Sequence, residues 1–236
     1  NFLGCWGNAF GSVMTIETHN LDTGEFFGKY SSTTGSSGTF FIHGYTQPDP
    51  SGNYPITMTI AWNNIETGGN SKDPSQYWTS IMTGIYNSSS KSLKLMNVIS
   101  SAIEFPEVQI FEPGNYPETL EYTKKSDSDC AFISKKKLWN GDADPSVYQT
   151  LSDALAINKS TTWIDKSGLS DSMTIQFDQI TQANAPKEFA KITGQVTIDG
   201  KAHQLVGECS YLTPENKSAL SMAITYSDSN GSYTMG

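Results

Sequence analysis

The sequence predicts an all-β protein built from up-and-down antiparallel barrels. Three observations point that way. Runs with period-two alternation of apolar and polar residues recur at short intervals, glycine- and proline-bearing turn signals separate them, and no amphipathic run reaches convincing helical length. With 236 residues the chain has room for one large β domain or two smaller ones.

In chain order, the strand-like runs are Val13 to His19, Glu25 to Ser31, Gly38 to His43, Ile56 to Trp62, Tyr77 to Tyr86, Ser92 to Ser100 and Cys130 to Trp139. Between them lie LDTGE, TGSSG, PDPSGNYP and ETGGNSKDPS, each rich in residues that favour turns. The segment from Ser101 to Asp129 carries several prolines and extra acidic residues. It reads as a long loop inserted before the last strand of a first barrel, with room for a strand of its own.

With Phe2 to Thr18 as the first strand and Cys130 to Trp139 as the eighth, barrel closure makes the two neighbours. Cys5 and Cys130 are then expected to form a disulfide, leaving Cys209 over as a buried thiol or an intermolecular partner. No CxxC or Cys/His spacing suggests zinc, and His19, His43 and His203 stand isolated.

The second half begins the pattern again. SMTIQF from Ser172 echoes VMTIET from Val13, FAKITGQVTI from Phe189 echoes FFGKYSS from Phe26, and LSMAITY from Leu220 echoes ITMTIAW from Ile56. Three blocks in the same order read as a tandem repeat, with a first barrel over residues 1–141, including the inserted loop at about 101–129, and a divergent second barrel over 142–236. The second is expected to be incomplete, altered in strand order or completed by another chain.

Fifteen basic residues, all lysine, stand against 24 acidic ones for a net charge of -9. A chain without arginine and with this balance is a poor match to nucleic acid, which rewards positive surface and bidentate arginines, and to anionic membranes. No apolar run approaches a membrane span. The opening at Asn1, the low charged fraction of 17% and the sequons at Asn87, Asn158, Asn216 and Asn230 suggest a secreted glycoprotein numbered after removal of a signal peptide.

The N-terminal spacing Trp6-x-Asn8-x-x-x-Ser12, followed by Met14-Thr15-Ile16, LDTGE and GKYSS, resembles the avidin and streptavidin family of eight-stranded biotin-binding barrels. TIAWNN at Thr59 to Asn64 and YWTS at Tyr77 to Ser80 resemble its two tryptophan-bearing strands, in the right order. The resemblance implies that Asn8, Ser12 and Tyr30 converge as donors on a ureido oxygen. It also implies that Ser32 accepts from a ureido N–H, and that Trp62 and Trp78 wall the bicyclic ring.

There are departures as well. The family's third tryptophan, expected near Asn97, and its fourth, at the start of the eighth strand, have no counterpart, and Gln76 replaces a threonine at the entrance. Asn140 is the candidate late acceptor on the eighth strand. In the second repeat Trp163 corresponds to Trp6, but Asp165 stands at the asparagine position, Ser170 or Asp171 near the serine and Val196 at Tyr30, with Tyr226 and Tyr233 for the tryptophans, so this half is expected not to bind biotin.

Three functions follow, in descending order. The first is a secreted, non-enzymatic binding protein with a pocket for biotin or another small heterocycle, needing no cofactor and open to homo-oligomers or a partner chain. The second is an extracellular structural or adhesive protein that keeps the barrel and has lost biotin. An enzyme is third, because no GxSxG, paired-His metal signature or phosphate loop occurs.

Overall fold

Trp6 and Asn8 face one side of the first strand and Cys5 and Gly7 the other, and this alternation runs through eight consecutive strands. In the computed structural model, the described residues are 2–33, 36, 38–47, 51–62, 77–104, 106, 109–134, 160–163, 173–181, 190–198, 201–209, 219–228 and 231–235. The strands β1 (Gly4–Asn8), β2 (Val13–His19), β3 (Glu25–Ser32), β4 (Gly38–Thr46), β5 (Asn53–Ala61), β6 (Trp78–Asn87), β7 (Ser92–Ser101) and β8 (Gly114–Lys124) pair in sequence order. Pairs Trp6↔Lys124, Gly7↔Thr123 and Asn8↔Tyr122 join β8 back to β1 and close the barrel.

The LDTGE turn between β2 and β3 shows why its glycine is needed. Gly24 has φ of 74°, and a Cβ there would lie 2.2 Å from the Thr46 carbonyl oxygen. A side chain is excluded twice, by backbone conformation and by space.

One side of every strand fills the interior. Phe2, Trp6, Phe26 and Tyr86 form the floor, with Phe2 and Phe26 edge to face at 5.0 Å and Trp6 and Tyr86 at 5.6 Å. Lys124 seals this end, its Nζ 4.6 Å from the centre of the Trp6 ring while donating to the Leu3 carbonyl.

The eighth strand differs from expectation. It lies within the stretch read as an inserted loop, at Gly114–Lys124, and not at Cys130 to Trp139. Pro117 obscured it. The proline is tolerated because β1 reaches only Tyr122 to Lys124, leaving the earlier part of β8 as an edge paired solely with β7.

Cys130 instead ends a single 3₁₀ turn, Asp127–Cys130, which runs into the short helix α1 (Ala131–Ser134). The turn folds back over β1 and β2, and Cys5 and Cys130 are bonded, their Cα atoms 5.6 Å apart and packed with Ile133. The pairing matches expectation although the element carrying Cys130 does not. Residues 135–159, which include Trp139, Asn140 and the sequon at Asn158, lie outside the described residues.

The described residues of the second half form β9 (Ser160–Trp163), β10 (Met173–Thr181), β11 (Ala190–Ile198), β12 (Lys201–Cys209), β13 (Leu220–Asp228) and β14 (Gly231–Met235). They make an antiparallel sheet ordered β14-β13-β12-β11-β10-β9, the same meander as β1 to β6, and among them no pairing closes it into a barrel. The expected second barrel is, in these residues, an open sheet.

The sheet does not stand apart. Val206 and Ala223 are buried against Tyr45, Ile81 and Val98 on the outer face of β4, β6 and β7. Asp165, Ser170, Asp171, Asn216 and Asn230 lie outside the described residues, as do the side chains of Trp163, Cys209, Tyr226 and Tyr233.

Candidate functional site

From the floor, β3 rises through Phe26 and Gly28 to Tyr30 and Ser32, carrying two hydroxyls toward the far end of the barrel. There a cavity of about 410 Å³ opens, lined by Tyr30, Ser32, Trp62, Trp78, Asn97 and Glu118 and by the β7–β8 connection at Gln109 and Ile110. The aromatic wall is built from facing strand ends. Trp62 follows β5 and Trp78 begins β6, with ring centres 6.4 Å apart at 77°, and Tyr30 meets Trp62 edge to face at 5.8 Å.

Trp62 is fixed by a hydrogen bond from its Nε1 to Ser80 Oγ at 2.7 Å. Phe40 packs against its ring at 4.9 Å. A buried indole with a satisfied N–H and neighbours on two sides is a preorganised wall.

Tyr30, Ser32, Trp62 and Trp78 therefore line one cavity. Asn8 and Ser12 lie deeper and do not line it. Asn8 Oδ1 accepts the backbone N–H groups of Phe10 and Ser12, each at 3.0 Å, so this side chain shapes the turn between β1 and β2. That turn buries Ser12 beneath Tyr30, with which it shares a side-chain hydrogen bond.

Between these groups and the cavity stands Tyr122, absent from the sequence-based site. It is fully buried, and its hydroxyl lies 3.2 Å from that of Tyr30. The Asn8 carboxamide also reaches Tyr122 closely enough to favour its ionised form, although Asn8 Nδ2 makes no well-formed hydrogen bond. The Tyr122 hydroxyl thus meets Tyr30 and lies near Asn8, two of the three groups that the resemblance assigns as donors to a ureido oxygen.

Burial pushes both phenols up in pKa, and for Tyr122 the neighbouring Tyr30 adds to the shift. The Glu118 carboxylate raises both further. Both therefore remain neutral hydrogen-bonding groups across the physiological range.

Asn97 and Glu118 face each other across β7 and β8, and Asn97 Nδ2 donates to Glu118 Oε1 at 2.7 Å. A carboxylate only accepts, so this bond fixes the amide orientation. Asn97 Oδ1 is buried with no hydrogen-bond partner among the described residues. The side chain expected to mark a missing tryptophan thus supplies a polar lining group. Tyr116, which also lines the cavity, donates its hydroxyl to the Glu112 carbonyl.

The alternation Tyr116-x-Glu118-x-Leu120-x-Tyr122 was the signal that could have revealed this strand, since period two places all four side chains on one face. The other site expectations fare unevenly. Gln76 and the ETGGNSKDPS loop lie outside the described residues. Asn87 closes β6, and its Nδ2, the atom a glycan would take, donates to Asn53 Oδ1 at 2.8 Å.

Residues 1–102 match the model of the Avidin family. Among solved structures, xenavidin is similar at 21% identity and a TM-score of 0.40, over 53% of this chain and 97% of its own. A biotin binding protein from chicken is similar at 16% identity and 0.38, over 53% and 97%, and a shwanavidin variant solved as its biotin complex at 15% and 0.38, over 52% and 95%. No curated protein matches the chain. The family match falls on the residues that build the first seven strands of the closed eight-stranded barrel, and the N-terminal part of this chain is an avidin-like domain.

Proposed function

We propose that the barrel is a non-enzymatic binding module of a secreted protein, holding a small heterocyclic ligand, biotin or a relative, in the cavity above Tyr30. The observation that carries this reading is the convergence of Trp62, Trp78, Tyr30 and Ser32 on one space of ligand size. Aromatic walls with a few fixed polar groups are the usual makeup of a small-molecule site. The Cys5–Cys130 bond supports an oxidising compartment, and no helix among the described residues is long and apolar enough to cross a membrane.

The test is titration of the whole chain with biotin, followed by tryptophan emission and calorimetry. Trp62 and Trp78 flank the cavity, so occupancy must change their emission. Silence of both signals at millimolar biotin rejects that ligand.

A second reading is a structural or adhesive module that keeps the barrel without biotin. Tyr122 favours it, because an internal hydroxyl meets Tyr30 where a ligand oxygen would be received. The sheet formed by β9 to β14, read as a divergent repeat, would then serve contacts to a partner chain or a second copy. A stable higher oligomer in sedimentation, without small-molecule response, supports this alternative.

A further inference from the structure

We propose that the cavity selects a cationic, donor-bearing ligand head, such as a protonated amidine, amine or amino-heterocycle, received by Glu118 and Asn97 Oδ1 between aromatic walls. The inference rests on the small-molecule reading above and deepens it by reversing the expected polarity of the ligand.

The reversal follows from how the polar groups are already satisfied. Tyr30 is bonded to Tyr122 and Ser12, and Asn8, whose buried Nδ2 donor makes no well-formed hydrogen bond, does not line the cavity, so the cavity meets no set of vacant donors at its deep end. The capacity that faces the cavity is that of an acceptor. Asn97 Oδ1 is buried at the cavity wall without a partner among the described residues, and the residue itself is 1% exposed. An unpaired buried carbonyl is unfavourable, and a ligand N–H would remove that penalty.

Beside it, Glu118 is the one charged side chain among the described residues that line the cavity, and only one of its oxygens accepts from Asn97. A carboxylate accepts from a paired N–H head and attracts its charge. Trp62, Trp78 and Tyr116 present ring faces and edges around the same space, and aromatic faces attract cations. The Glu118 carboxylate also adds to the upward shift of the Tyr30 and Tyr122 phenols. The net charge of -9 favours the approach of a cation as well.

Benzamidinium and benzamide make a near-isosteric pair that differs in the charge and donors of the head. In tryptophan-emission and calorimetric titrations of the full chain, benzamidinium is expected to bind at least tenfold tighter than benzamide. Glu118→Gln, which keeps the shape, should erase that preference, so that the two compounds bind within twofold of each other. Equal binding of the two compounds, or a preference that survives E118Q, overturns the proposal. If neither binds but biotin does, the proposal fails and the small-molecule reading stands. If none of the three binds, both fail. Asn97→Leu, which fills the amide site without an acceptor, provides a second check by weakening benzamidinium at least threefold.

Discussion

The hydroxyls of Tyr30 and Tyr122 meet at 3.2 Å inside the barrel, on strands separated by 92 positions in the chain. The family resemblance singled out Tyr30 and not Tyr122. Their contact links the stability of the domain to the polarity of its cavity.

Tyr122→Phe removes this contact and keeps the ring. Tyr30 retains Ser12, so the loss is that of one buried hydrogen bond, about 0.5–1.5 kcal/mol. Urea unfolding should show a lower midpoint with an unchanged slope.

Alkaline pH should weaken the fold. Tyr30, Tyr86 and Tyr122 have raised pKa values, and burial pushes Tyr45 up to about 12. Above pH 10 the unfolded chain releases phenolic protons that the folded chain retains, so stability present below pH 10 falls as pH rises toward 12. Thermal melts at pH 8, 10 and 11 should give a steady midpoint up to about 10 and then a decline. A melt that is flat to pH 11 would contradict the burial of these phenols.

Reduction of the Cys5–Cys130 bond should destabilise the barrel by about 2–4 kcal/mol, below the chain-entropy figure of about 4–5 for so long a loop. Cys130→Ser provides the same comparison without reductant. Non-reducing peptide mapping that finds both as free thiols would contradict the pairing.

The contact between the second sheet and the barrel has its own test. Ala223 is fully buried against the barrel face that carries Tyr45 and Ile81. Ala223→Glu places a charge in that contact, at a cost of several kcal/mol unless the sheet detaches. Limited proteolysis should then cut the second half faster while residues 2–130 stay protected.

Much of the barrel was legible in the residues. β2, β3 and β4 follow simple alternation, LDTGE fixes their first turn, and Tyr30, Ser32, Trp62 and Trp78 were all expected at the site they line. The eighth strand was not legible. Its proline and acidic residues lower strand propensity, and pairing with β7 along its length and with β1 at its end makes Gly114–Lys124 a strand.

The partners of Asn8 and Asn97 were not legible either. A side chain's type states what it can bond, but its partner is chosen by register. Asn8 spends its oxygen on its own turn, and Asn97 meets Glu118 only because β7 and β8 pair at that position.

The sequence by itself determined the class of fold, because periodicity and turn chemistry are local or nearly so, whereas the aromatic residues Trp62 and Trp78 were singled out by the family resemblance and the Cys5–Cys130 pairing was expected from barrel closure. Tertiary structure alone decided that Tyr122 closes the deep end, that Glu118 and Asn97 form one polar wall, and that the second sheet lies against the barrel. Those outcomes depend on which strands become neighbours, and that is settled by closure of the whole barrel rather than by any segment of the chain.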